Sequence, residues 1–465
     1  MSTQDDKVAG KPVAVPIKLY ESESKIYPRE TKGYFQNLRR VALFALLGLY
    51  YGLPWLNWGE RQAVLFDLPA RKFHIFGLTL WPQDFFFLTL LLIMAGLSLF
   101  FFTALAGRVW CGFACPQTVW TEAFLWMERL VEGNRNAQIK LSKMPLNAEK
   151  IRKRVLKQVL WVSFAFWTGF TFVGYFTPVE ELAYALWTFT ASFWQWFWVL
   201  FYGFATYGNA GFMREQVCKY MCPYARFQSA MFDKDTLVIT YDEQRGEPRM
   251  RGAKRKKDPN AAGDCVDCGL CVQVCPTGID IRDGLQYECI ACAACVDVCN
   301  EVMTQVKRPP NLIKYTTEAS MEGNPTRILR PRIIIYAVLL GLLFAGFVTA
   351  LAMRSSVQFD VLRDRNALYQ VIGNDQIANS YTLKVMNKGH IDQRYRIEVE
   401  GLPEAKIEIA NERVITAGEI ANVAVQVSAP NSALAGKSQT IYLKLTELNG
   451  ESPDTVMEKT RFFGP

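Results

Sequence analysis

The chain has 465 residues, half of them apolar, with 12 Trp, 31 Phe and 19 Tyr and a net charge of +8. That length holds two or three domains, and the apolar and aromatic excess excludes both a disordered chain and a surface that faces only water. Twelve cysteines against two histidines exclude a histidine-rich copper centre and the paired axial nitrogens of a haem b buried in a helix bundle.

Residues 1–37 are charged and lack apolar periodicity, which predicts a flexible or membrane-surface arm reaching to residue 40. Five apolar runs follow, at about 41–58, 84–106, 158–177, 185–208 and 333–353, each near the ~20 residues that cross a bilayer as a helix. The expectation is an α-helical transmembrane bundle of five spans, four within 41–210 and the fifth at 332–354. The first is interrupted by Pro54 and flanked by Trp55 and Trp58. No small-residue cleavage pattern follows it, so it reads as an uncleaved anchor.

Ten Lys and Arg lie between Arg108 and Lys157, three between the first two runs, and none in the turn after the third. By the positive-inside bias, residues 1–40, 107–157 and 209–332 face the cytoplasm, and the chain after about 354 is exported. All twelve cysteines then sit on the reducing side, and 355–465 contains none. Such a distribution argues against disulfides and for metal or electron chemistry.

Of the two histidines, His74 reads as an interfacial packing residue and His390 as a turn residue; neither is taken as a ligand. Cys111 and Cys115 lie in C-G-F-A-C-P after the second run, and Cys218 and Cys222 in C-K-Y-M-C-P after the fourth. The matched placement suggests a repeated two-helix unit. A helical CxxxC sets both sulfurs on one face, and the proline pushes the second cysteine toward extended backbone at a helix boundary. Three readings stay open for these four thiols: buried structural cysteines, a third iron-sulfur cluster, or a soft-metal thiolate site suited to Cu(I), with Met213 and Met221 close to the second pair.

The basic stretch Arg245–Lys257 reads as a solvated loop beside the membrane, and no nucleic-acid partner is expected. Within 211–331 stand C-V-D-C-G-L-C-V-Q-V-C-P from Cys265 and C-I-A-C-A-A-C-V-D-V-C-N from Cys289. Both read CxxCxxCxxxC. The fourth cysteine of such a run ligates the other cluster. This predicts two 4Fe-4S clusters in a ferredoxin-like domain, one on Cys265, Cys268, Cys271 and Cys299, the other on Cys289, Cys292, Cys295 and Cys275. Zinc, which needs four ligands in CxxC pairs, and a cluster-free structural fold are the competing assignments. Asn300 replaces the proline that closes the first motif, which leaves the surroundings of the second cluster less defined. No GxGxxG turn is present, so electrons come from a partner, either a quinol or a soluble donor.

After the last run, Y-T-L-K-V-M, Y-R-I-E-V-E, A-N-V-A-V-Q-V and T-I-Y-L-K-L alternate between turn residues and predict an immunoglobulin-like β-sandwich over 355–465, suited to docking.

I-Y-P-R-E at 26–30, P-W-L-N-W-G-E-R-Q-A from Pro54, the two CxxxCP motifs, the double cluster motif and the last span leading into a β-domain together resemble the CcoG/FixG (RdxA) family. The resemblance covers almost the whole chain and implies a bacterial inner-membrane accessory protein for maturation of cbb3-type cytochrome c oxidase. It further implies cupric reductase activity, with copper as substrate and Cys111, Cys115, Cys218 and Cys222 as candidates for copper handling. The partners it implies are oxidase assembly factors or a copper chaperone; the electron donor and any homo-oligomer stay open. CxxxCP is shared with quinol-oxidising membrane polyferredoxins, so an electron conduit is the alternative, and a non-enzymatic assembly scaffold is the third.

Overall fold

In a computed structural model of the chain, the described residues are 25–252, 262–364, 367–373, 375–389, 391–409, 414–434, 436–448 and 455–465. Most of the N-terminal arm, His390 and the lysine-rich end of the basic stretch lie outside them. Two compact units result, residues 1–341 and 342–465.

The helices of the first unit, in chain order, are α1 (Tyr34–Gly52), α2 (Phe85–Ala106), α3 (Val109–Phe113), α4 (Pro116–Glu132), α5 (Arg135–Lys143), α6 (Ala148–Val173), α7 (Val179–Trp187), α8 (Phe193–Thr206), α9 (Pro223–Ala230), α10 (Glu243–Gly246), α11 (Leu270–Val274), α12 (Ala294–Gln305) and α13 (Glu318–Met321), with α14 (Pro331–Ala352) running out of it. Short strands β1 (Asn57–Trp58) to β5 (Leu78–Leu80) fill the connection between α1 and α2, while β6 (Val238–Tyr241) pairs antiparallel with β7 (Ile313–Thr316). His74 is one of the strand residues of that connection, Nδ1 3.0 Å from Thr79 Oγ1. Desolvation, with Arg61 and Lys72 nearby, lowers its pKa to about 4, so it is a neutral packing group.

Among the described residues two helical stretches, Pro82–Ala106 and Pro331–Ala352, are long and apolar enough to cross a membrane. The other three expected spans are helical but differently cut. Arg39 and Arg40 occupy the second turn of α1, and Arg39 is buried against Glu122. The first turns of α6 are amphipathic, with Lys150, Arg152, Lys153, Arg154 and Lys157. The fourth run breaks because Ser192 and Gln195 form a capping box that starts a new helix. At 14 residues α8 alone covers only about 21 Å, and it continues into π-helical turns at Tyr207–Met213.

These helices nevertheless expose Val41 and Phe44 on α1, Val159, Val162 and Trp167 on α6, and Phe193, Trp194 and Phe204 on α8, an apolar extent foreign to a water-facing surface. Their mutual packing is of the small-residue kind found in lipid: a Cβ on Gly169 of α6 would come within 2.2 Å of the Val199 carbonyl and 2.7 Å of the Gly203 nitrogen of α8.

In the second unit β8 (Val357–Arg363), β9 (Gln370–Ile372), β10 (Gln376–Asn387), β12 (Lys406–Ile409) and β13 (Ile420–Pro430) form one sheet, with β10 central, and β11 (Tyr395–Glu400), β14 (Ser438–Glu447) and β15 (Thr455–Phe463) form the other. The expected immunoglobulin-like sandwich is present. Alternation buries Ala421, Val423, Val425, Val427 and Ala429 against Phe359, Leu383, Leu443 and Phe462.

Candidate metal centres

Each cysteine run folds into the same loop, and the turning residues explain how. Asp267 and Gly269 in the first run and Ala291 and Ala293 in the second all take left-handed φ, between 51° and 67°. Gly269 and Ala293 then stand as the N-caps of α11 and α12. For Asp267, Ala291 and Ala293 this conformation costs of order 1 kcal/mol each, and it turns successive backbone N–H groups toward one centre, a concavity suited to anionic sulfur. Two cavities result. Cys265, Cys268, Cys271 and Cys299 line one, with Tyr241, Leu270 and Met303; Cys275, Cys289, Cys292 and Cys295 line the other, with Ile239, Ile279 and Ile290, and Cys271 reaches both walls.

Burial pushes the Cys271 thiol up to about 11 and Cys289 and Cys299 up to about 12, and raises Cys292 and Cys295 as well. These groups hold their protons at neutral pH until a metal displaces them. Among the described residues no three His, Cys, Asp or Glu side chains stand at the spacing of a single bound ion. Sulfurs splayed around a cavity fit a multi-iron cluster better than tetrahedral zinc, whose sulfurs lie about 2.3 Å from one ion. A 4Fe-4S group therefore suits the donor set of each cavity.

The Asn300 departure has a visible consequence. Pro276 ends the first motif, leaving Cys275 extended (φ −68°, ψ 120°) after five residues of α11. Asn300 permits α12 to run on to Gln305, and its side chain caps the next loop through Asn311, whose N–H donates to Asn300 Oδ1 at 2.7 Å. Independently of that extension, the first turn of α12 carries Asp297, which accepts from the Phe35 and Gln36 N–H groups at 3.3 and 2.7 Å and so caps α1. The I-Y-P-R-E stretch forms a strap across the same region. Arg29 N–H donates to the Gln273 carbonyl at 2.8 Å, and the Tyr27 carbonyl accepts from Arg135 at 2.9 Å.

Cys115 and Cys222 behave as their prolines predict: each is extended and is the N-cap of the helix that its proline begins, α4 and α9. The expected single helical face is not formed. Cys111 lies in the short α3, and Cys218 in π-helical turns at Val217–Met221, since the proline-bound extended residue ends each helix before its second cysteine. The four thiols still share one neighbourhood, for the charges of Cys115, Cys218 and Cys222 all bear on Cys111, whose thiol is pushed by burial up to about 12. Cys218 is pushed up to about 11 by burial and by Cys115 and Cys222.

This neighbourhood adjoins the second cavity. Cys111 packs against the buried cluster that holds Ile290, Cys292 and Ala294, and a Cβ on Gly112 would meet the Ala291 and Ile290 carbonyls at 2.8 and 2.9 Å. Only glycine permits that approach. Arg108, 4% exposed, bridges the two places. Its Nη1 donates to the Cys289 carbonyl at 3.1 Å and to that of Tyr287, and its Nε to Gln228 Oε1 at 2.9 Å, the same oxygen that accepts from Cys111 at 3.3 Å. Sequence reasoning counted Arg108 only as one of ten positive charges and passed over Gln228. Nothing in their spacing marks a contact across more than a hundred residues.

Fold and donor sets together define an iron-sulfur electron-transfer protein that carries two helices long and apolar enough to cross a membrane. Residues 213–318 match the family described as a 4Fe-4S dicluster domain, 86–134 a 4Fe-4S binding domain, and 347–465 the IG-like fold at the C-terminus of FixG. The nitrogen fixation protein FixG of Rhizobium meliloti is 37% identical over 432 residues, 85% of this chain and 82% of its own. RdxA and RdxB of Cereibacter sphaeroides are 40% and 42% identical over 397 residues, 82% of this chain and 84% and 83% of theirs. The chain belongs to the FixG/RdxA family.

Proposed function

We propose that the chain is a cupric reductase of the bacterial inner membrane, reducing Cu(II) to Cu(I) for assembly of a cbb3-type oxidase. The observation that carries the reading is the junction at Gly112, where the CxxxCP thiols adjoin the loop of the second cavity. In this proposal the eight cysteines of the double motif hold two 4Fe-4S groups, which would supply one-electron transfer. The reaction consumes one electron per copper and moves no proton. Cys111, Cys115, Cys218 and Cys222 bind copper through soft sulfur, which favours Cu(I) over Cu(II). Arg39, Arg108 and Arg282, whose charges bear on Cys292, Cys289 and Cys271, offset the negative charge of thiolate ligation.

The topology that goes with this reading has five spans, with α1, α6 and α8 joining the two long apolar helices through their exposed apolar faces. The thiols face the cytoplasm and 355–465 the periplasm, where the sandwich docks an oxidase assembly factor or a copper chaperone. Reoxidation of dithionite-reduced protein by Cu(II), lost on replacing all four CxxxCP cysteines by serine with iron content unchanged, is the expected result. Unchanged copper reduction in that variant overturns the placement.

A second reading is favoured by the match of 86–134, which contains Cys111 and Cys115, to a 4Fe-4S binding domain. There the four thiols hold a third cluster. Iron and sulfide analysis of anaerobically purified protein separates the two: eight irons per chain support copper handling, and twelve support the further cluster.

A further inference from the structure

A groove of about 440 Å³ lies on the far side of β6 from the two cysteine cavities, lined by Phe232, Val238, Thr240, Leu285, Glu318 and Met321 among others. That volume is within the 300–1,000 Å³ of small-molecule sites. The strand β6 forms the partition. Ile239 and Tyr241, buried, line the cysteine cavities, while Val238 and Thr240, half-buried, line the groove. Alternate side chains of one strand face opposite sides, so the groove and both cysteine cavities are separated by one layer of backbone.

The groove also adjoins the ends of both long apolar helices. Beside Gly107, the residue that ends α2, a Cβ would lie 3.6 Å from Phe232 and from Val238. At the start of α14, Arg332 donates to the Met231 carbonyl at 2.7 Å, and Arg330 pairs with Asp233 at 2.7 Å. A ligand with a polar head and an apolar tail can thus place its head in the groove while its tail follows α2 or α14 into lipid.

We infer that this groove binds a membrane quinol, the electron donor of the reading proposed above, on which the inference rests. A quinol is oxidised to quinone by breaking two O–H bonds and losing two electrons and two protons. The cysteine cavities behind β6 would each hold an iron-sulfur group able to take one electron, which matches the two electrons released. Glu318, 61% exposed and at the groove edge, passes the protons to water. The walls suit the ring and first tail carbons through Phe232, Val238, Leu285 and Met321, and Thr240, Lys234 and Glu318 offer hydrogen bonds to the two ring oxygens.

The experiment uses the full chain in lipid nanodiscs with a photoreactive azidobenzoquinone carrying an isoprenoid tail, its attachment mapped by peptide mass spectrometry. Labelling is expected at 232–240 and 318–321, falling by about tenfold, a change worth about 1.4 kcal/mol, in Val238→Trp and in Met321→Trp, which fill the groove from opposite walls. Iron content and visible absorption read in the same samples show that the variants have folded. Label spread over the apolar helices and undiminished in folded variants overturns the inference, as does label confined to another site. Reoxidation of dithionite-reduced protein by Cu(II) is followed separately: its absence defeats the copper reading, while the labelling pattern still decides the groove.

Discussion

Arg108 shows how a single side chain can couple two sites. A buried guanidinium that donates to the Cys289 carbonyl and shares Gln228 with Cys111 holds a fixed positive charge between the second cavity and the CxxxCP thiols. A unit charge at roughly 8 Å with an effective dielectric near 20 contributes about 2 kcal/mol, or roughly 90 mV for a one-electron centre. Arg108→Gln is expected to lower one of two midpoint potentials by about that amount in an EPR-monitored titration, while Arg108→Lys retains most of it. Equal shifts of both potentials would show that the charge acts on no particular centre.

Glu128 carries a different burden. It is fully buried and faces Arg214 at 2.7 Å, Lys25 at 2.7 Å and Lys157 at 3.3 Å. Desolvation alone would raise its pKa, but the three cations outweigh burial and lower it to about 2. Its stabilising contribution is therefore complete above the ordinary value of 4.5 and is lost as pH falls from there through about 2. Glu128→Ala leaves Arg214 and Lys157 buried without it and is expected to cost about 3–5 kcal/mol in denaturant unfolding at neutral pH. Much of that cost disappears at low pH, where the wild type has lost the same charge.

Among the elements, α6 and α8 depend on close backbone approach. Gly169→Leu puts a branched side chain where a single Cβ already meets the Val199 carbonyl at 2.2 Å. Overpacking of this kind costs about 1–3 kcal/mol where side chains can yield, and here the obstacle is backbone. A lowered thermal midpoint in detergent is expected, whereas Gly208→Leu, with nothing within 4 Å of its Cβ, leaves the midpoint unchanged.

The element scale also shows which features were legible in the residues. Both cysteine runs, the four strands quoted from the last domain and the prolines after Cys115 and Cys222 announce local geometry, and local geometry follows from spacing and φ restriction. The break between α7 and α8 was signalled too, by Ser192 and Gln195, but an apolar run was counted there instead of a capping box. The left-handed Ala291 and Ala293 were not legible, because alanine carries no preference for that region.

For the whole molecule, the division into residues 1–341 and 342–465 implies that the sandwich, with its own buried core, folds alone. Expressed as 355–465, it is expected to give an all-β circular dichroism spectrum and one cooperative unfolding transition; a chain that stays unfolded would show that the core needs the rest of the protein. Orientation is tested in intact cells: a cysteine introduced at the exposed Lys459 is expected to react with a membrane-impermeant maleimide from outside, and one at Lys234 is not.

Cysteine spacing alone assigned eight thiols to two four-fold sets, because a CxxCxxC loop is too short to close in any other way and its distant fourth cysteine must cross over. Apolar run length alone counted five spans, of which two are helices long and apolar enough to cross a membrane and three are cut differently by charged turns and a capping box. Tertiary structure alone placed the CxxxCP thiols against the second cavity, through Gly112, Arg108 and Gln228, and placed a groove behind β6. Those contacts join segments more than a hundred residues apart. They are decided by which surfaces the folded chain can bury together, and no local pattern carries that information.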